Sequence, residues 1–264
     1  MKIKFVYIII TFISVGFLFG GSKKPFSEQE NLFQKEVEDY LKKAEIIQVE
    51  KDAIPGRTAL WKVTLDNGEV SRKGYFKYID RSRPKIPPDS FKYELAAYEL
   101  SKLLGLEIIP PIVEREIEGI KGSLQIGIKD FITESYRKRS GDIPPDVKEF
   151  KRTIETIRIF ENLVYDECND EDDIFIQKEN WKVWRVDFTE AFFPSPELIL
   201  NCEFTCLSRK LYENLQNLSD ELIKTRLFPY LNKKEIKTLL ERKDIILKKV
   251  EKLIKEQGKE VVLW

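Results

Sequence analysis

Apolar positions along the chain change period several times, and each change marks an expected element. From Glu30 to Ile47, Leu32, Phe33, Val37, Tyr40, Leu41 and Ala44 recur at helical spacing, which predicts a short amphipathic helix. Between Ala44 and Ile79 the pattern shortens to AEIIQVEKDAI, ALWKVTL and GYFKYI, separated by Pro55-Gly56 and by Asp66-Asn67-Gly68. An Asn-Gly step between alternating segments predicts a β-hairpin. Residues 81–89 are a proline-rich loop. Phe91 to Leu104 predicts a helix with Tyr93, Ala96, Ala97, Leu100, Leu103 and Leu104 on one face and Gly105 as its stop. Strands follow at IIPPIVEREI and GSLQIGIKDFI, joined by a Glu118-Gly119 turn, and a polar loop is expected over 134–147.

A second long helix is predicted from Val147 to Val164, with Phe150, Ile154, Ile157, Phe160, Leu163 and Val164 as its stripe. The acidic stretch from Asp166 to Asp173 then leads to IFI and WKVWRVDF, read as two paired strands about a turn at Glu179-Asn180. From Glu197 to Gln257 the periodicity is helical throughout. Cys202 and Cys206 would then sit one turn apart, as two buried thiols or, with strain, as a disulfide. Lys233 to Lys255 reads as a solvated helix pair, because glutamates interleave its lysines. The order implies an α+β chain of two lobes: a strand-rich one over 23–128 and a mostly helical one over 129–264, with a cleft between them.

The N-terminus breaks from this pattern. Lys2 and Lys4 precede an apolar run from Phe5 to Phe19, followed by Gly20, Gly21 and Ser22. A basic start, an apolar stretch and small residues predict that 1–22 is a signal peptide. Without an Ala-x-Ala site, an uncleaved membrane anchor remains the alternative, and the run is just long enough to span. Either way the protein is expected to be exported, touching a membrane through this segment alone.

Composition narrows the chemistry. The 264 residues contain no histidine, which excludes Ser-His-Asp and Cys-His triads and every histidine-ligated metal. Lysine plus arginine and aspartate plus glutamate balance at 45 each, so charge gives no reason to expect nucleic acid as a partner. Three cysteines make neither a disulfide framework nor a zinc ribbon. Acid–base or metal chemistry falls to carboxylates, lysine, tyrosine or cysteine.

Lys77, in the apolar strand Phe76-Lys77-Tyr78, is a candidate point charge for nucleotide phosphates, and Glu94 on the next helix is its natural partner. The alternative for Lys77 is an outward surface lysine. Asp187, after Trp184-Arg-Val, is placed at a strand end to hold a divalent cation, or else to cap a turn. Gly56 is a candidate turn over phosphates or an ordinary β-turn.

Four segments in order resemble the atypical kinase superfamily that contains phosphatidylinositol 3-/4-kinase-like and HipA-like enzymes, nearest to its bacterial members. They are Gly74-Tyr-Phe-Lys77, Tyr93 to Leu106 with Pro110-Pro111, Gly122-Ser-Leu-Gln125, and Trp181 to Phe192. The resemblance spans about residues 40–250 and implies a bilobal kinase-like fold. It also implies ATP with Mg²⁺ or Mn²⁺ as cofactors, nucleotide-binding roles for Gly56, Lys77, Glu94 and Gln125, and metal roles for Asp173 and Asp187.

In the family's Asn-x-Asp-Arg-x-x-x-Asn register, Cys168 stands at the base position, Asn169 at the arginine and Asp173 at the metal asparagine. A thiol, of pKa about 8.5 and surrounded by carboxylates, is a poor base. Asp170 or Asp166 takes the role only if the loop is re-formed. The resemblance therefore implies a catalytically impaired kinase homologue that binds nucleotide and metal. An active phosphotransferase with a rearranged acidic loop, or a non-enzymatic exported protein with a protein partner, stays open.

Overall fold

The computed structural model describes residues 34–51, 59–81, 88–166 and 170–264. The leader 1–22, Gly56, Cys168 and Asn169 lie outside them.

The described chain runs α1 (Gln34–Lys43), β1 (Glu45–Glu50), β2 (Leu60–Asp66), β3 (Ser71–Lys77), β4 (Asp80–Arg81), β5 (Asp89–Ser90) and α2 (Phe91–Leu103). It continues through β6 (Ile112–Ile117), β7 (Ile120–Ile126), β8 (Phe131–Thr133), α3 (Glu134–Ser140), α4 (Val147–Val164), β9 (Ile174–Gln177) and β10 (Val183–Arg185). The last helices are α5 (Arg209–Asn217), α6 (Asp220–Leu227), α7 (Lys233–Gln257) and α8 (Lys259–Val262). The architecture is α+β, with a sheet-rich part followed by a helical part.

The main sheet has five antiparallel strands in the order β1-β2-β3-β7-β6. Its alternation puts Trp61, Val63, Leu65, Phe76 and Leu124 on one face, where Val37, Tyr40 and Leu41 of α1 cover them. The Tyr40 hydroxyl donates to the Leu65 and Val70 carbonyls, and Arg115 donates to the Leu41 and Ala44 carbonyls, so the C-terminal end of α1 is fastened to the sheet. The β2–β3 hairpin closes through Asp66 and Asn67, whose carboxylate and amide oxygens accept from the Gly68, Glu69 and Val70 amides. Glu118 and Gly119 both take positive φ (52° and 78°), as a tight two-residue hairpin between β6 and β7 requires.

Helix α2 belongs to the other core, packing Phe91, Ala97 and Leu100 with Ile157, Phe160 and Leu163 of α4, with Phe188 and Phe192 after β10, and with Leu239 of α7. The small sheet β10-β9-β8 turns Ile174, Ile176 and Val183 into the same core.

Helix α4 has the span expected from its stripe. Elsewhere the structure departs from the pattern. Residues 134–147 are not all loop: Thr133 caps α3 by accepting from the Tyr136 amide, and Gly141 ends it at φ 78°. With Tyr136 as its one apolar residue, this short helix shows no hydrophobic period. Residues 197–208 are not helical: the Ile199 amide and the Cys202 carbonyl are taken by the Asn162 side chain of α4, and within the segment the Cys202 amide closes only a tight turn onto the Ile199 carbonyl. Cys202 and Cys206 thus share no helix face. Cys202 is disulfide-bonded and Cys206 is a free thiol, which rules out both the Cys202–Cys206 bridge and the pair of free thiols. Among the described residues no helix is long and apolar enough to cross a membrane.

Candidate functional site

Lys77 is the last residue of β3. Strand alternation turns Phe76 into the α1-side core and Lys77 to the opposite face, toward α2. Ser123 is its direct cross-strand partner on β7. Glu94, in the first turn of α2, meets both: the Lys77 ammonium donates to Oε1 at 2.6 Å and the Ser123 hydroxyl to Oε2 at 2.8 Å. Glu94 is only 3% exposed and Lys77 12%. Helix α2 is set in place by Ser90, whose hydroxyl accepts from the Lys92 amide and whose own amide donates to the Thr189 carbonyl at 2.8 Å. The strands approach closely here: a Cβ on Gly122 would lie 2.3 Å from the Lys77 carbonyl oxygen and 2.6 Å from the Phe76 ring. No other residue fits that position.

Asp187 approaches from the helical part. It follows β10, and its φ of 62° is an uncommon conformation for a non-glycine residue. Its Oδ1 lies 2.9 Å from the Lys77 ammonium and accepts from the Thr189 hydroxyl at 3.0 Å. One ammonium is therefore shared by a carboxylate of the sheet-rich part and one of the helical part. Burial opposes the charge on Asp187, but the Lys77 ammonium outweighs it and holds the carboxyl at about 2. Lys77 responds in the same way, with burial lowering its pKa and Asp187 and Glu94 together raising it above the usual lysine range.

Beneath this trio lies a second charged group. Arg185, the last residue of β10, is 1% exposed. Its Nε donates to Glu161 of α4 at 2.8 Å and its Nη2 to Asp166 at 2.7 Å. Nη1 lies 3.4 Å from Asp173, and donates to the Val186 and Asp187 carbonyls. Burial pushes Asp166 up to about 8 and Asp173 to about 7 despite this guanidinium, and raises Glu161 as well. Desolvation outweighs the single guanidinium at all three carboxylates, although Asp173 keeps some access to water.

The structure thus brings Lys77, Glu94 and Asp187 into one ionic group, with Asp173 joined to it through Arg185. Asp170 is exposed; its carboxylate accepts from the Asp172 amide and its carbonyl from the Asp173 amide, which gives it a turn-forming part. Gln125 sits two residues along from Ser123, opposite Tyr75, and its buried Nε2 has no partner among the described residues. Sequence reasoning passed over Ser123, Glu161 and Arg185. Alternation could have found Ser123, two residues before Gln125 on the same face. Nothing local marks Arg185 as buried.

Searches against known proteins give two different kinds of likeness. In fold, the chain resembles the Helicobacter pylori proinflammatory kinase CtkA, with a TM-score of 0.50 and 9% identity over 78% of this chain and 92% of that one. Two structures of CtTel1, a dimer and an open conformation, each give a TM-score of 0.44 at 14% identity over 83% of this chain and 12% of theirs. No curated protein matches the sequence. The family model described as β-1,4-N-acetylgalactosaminyltransferase (CgtA) matches residues 1–199 of the 264, and the chain therefore belongs to that family.

Proposed function

We propose that this protein binds the phosphates of a nucleotide together with a divalent cation at the junction of its two parts, and transfers phosphate poorly. The observation that carries this reading is the Lys77 ammonium held between Glu94 and Asp187. Glu94 and Ser123 fix the lysine from behind, leaving its charge aimed at the junction, where Asp187 remains 39% exposed. An arriving phosphate takes the place of Asp187 on the ammonium, and Asp187 turns to the cation.

The donor set fits a cation that arrives with phosphates. Among the described residues no cluster of three or more acidic or sulfur ligands forms a resident metal cage. Asp187 and Asp173 offer hard oxygen ligands, and Mg²⁺ or Mn²⁺ usually takes one or two carboxylates and completes its shell with phosphates and water. When bound, the cation would neutralise charge on the phosphates. Poor transfer follows from the acids that remain. Asp166 is buried and clamped by Arg185, and Asp170 is engaged in its turn. Neither is set to take a proton from an acceptor hydroxyl. The bridge at Cys202 supports an exported location, since disulfides persist in oxidising compartments.

The family match favours a second reading of the same site, in which the phosphates are the diphosphate of a nucleotide-activated N-acetylgalactosamine. Thermal unfolding with Mn²⁺ and either ATP or UDP-N-acetylgalactosamine separates the two. Saturating ATP should raise Tm by on the order of 5 °C, a rise abolished in Lys77→Ala and Asp187→Ala. A shift with the sugar nucleotide alone would select the glycosyl-donor reading. No shift with either overturns nucleotide binding, and brisk phosphate transfer from ATP would overturn the claim of impairment.

A further inference from the structure

Three carboxylates around one buried guanidinium are more than charge balance needs. Glu161 and Asp166, at 2.8 and 2.7 Å and nearly inaccessible, already satisfy Nε and Nη2 of Arg185. Asp173 differs in both respects. At 3.4 Å from Nη1 it is beyond a good charge-assisted hydrogen bond, and it is 29% exposed. It is anchored through its backbone, its amide donating to Asp170 and its carbonyl accepting from the Val186 amide, so its carboxylate can turn without moving β9. The same Nη1 reaches the carbonyl of Asp187 by an equally long contact of 3.5 Å. The guanidinium therefore touches both acids that would hold a cation, one through its side chain and the other through its backbone.

Resting on the nucleotide–cation reading, we propose that Arg185 is the positioning residue of this site: anchored by Glu161 and Asp166, it sets the spacing of Asp173 and Asp187 and releases the Asp173 carboxylate to a divalent cation shared with Asp187. The rigid fork of arginine matters as much as its charge, because three chain segments converge on it: α4, the stretch after it and the residue before β9. A lysine would keep the charge and lose the planar fork that spreads it over these partners.

A double-mutant cycle on Mn²⁺ binding tests this, read by Mn²⁺ electron paramagnetic resonance in the presence of ATP or UDP-N-acetylgalactosamine, with urea unfolding of each variant alongside. Arg185→Lys should weaken Mn²⁺ binding about tenfold in the wild-type background and have no further effect in Asp173→Asn. A merely structural arginine would weaken both backgrounds equally, and that result, or an unchanged affinity, overturns the proposal. Should Arg185→Lys fail to fold, Asp166→Asn replaces it in the cycle. That change loosens one anchor and should weaken Mn²⁺ binding about threefold, again only when Asp173 is present. Wild-type protein that binds no Mn²⁺ with either nucleotide overturns the nucleotide reading together with this one, whereas binding without coupling overturns this one alone.

Discussion

Two ionic groups lie close together in this molecule, and they respond oppositely to burial. In the upper group Lys77 serves Glu94 and Asp187, and Asp187 is held down at about 2. In the lower group Arg185 serves Glu161, Asp166 and Asp173, and Asp166 and Asp173 are pushed up to about 8 and 7. The chemical types are the same. What differs is the ratio of carboxylates to cations, two against three, and the access to water, which Asp187 retains and Asp166 has lost. A shared cation stabilises the charged form only while its field exceeds the cost of desolvation. The upper group is thus an ion pair ready to exchange partners. The lower one is a proton-holding scaffold.

Removing either cation should break this contrast. The largest effect is expected for Arg185→Met, which strands three carboxylates around a buried methionine. Equilibrium urea unfolding should show a loss of about 3–5 kcal/mol, and a loss under about 1 would mean that the carboxylates are already neutral without it. Lys77→Met leaves Glu94 buried with Ser123 as its one side-chain donor among the described residues, and should cost about 1.5–3 kcal/mol. Asp187 contributes less to that figure than its short contact suggests, because solvent screens an acid this exposed.

The third effect concerns pH. The folded pKa of Asp166 lies above its unfolded value, so between about pH 4 and pH 8 the folded state binds a proton that the unfolded state does not. Its contribution to stability is therefore complete at the acid end of that window and is lost as pH rises toward 8. The slope is at most about 1.4 kcal/mol per pH unit. Asp166→Asn cannot titrate and should flatten the urea midpoint across the window. An unchanged profile in the variant would remove Asp166 from the scaffold.

The sequence legibly encoded whatever depends on near neighbours. Period and caps located α2 and α4, Asp66 to Gly68 located a hairpin, and the order of a lysine strand and an acidic helix start paired Lys77 with Glu94. These follow from backbone geometry and side-chain alternation within short stretches of chain. Tertiary structure decided which charged residues are buried and which cation each carboxylate shares. Arg185 and Glu161 are separated by 24 positions and Lys77 and Asp187 by 110, and no periodicity reports a contact over such spans. It also decided that the Ile199 amide and the Cys202 carbonyl bond to the Asn162 side chain, which competes with helical hydrogen bonding there. Local pattern determines the elements. Burial, set only when they pack, determines whether a carboxylate there carries a charge or a proton.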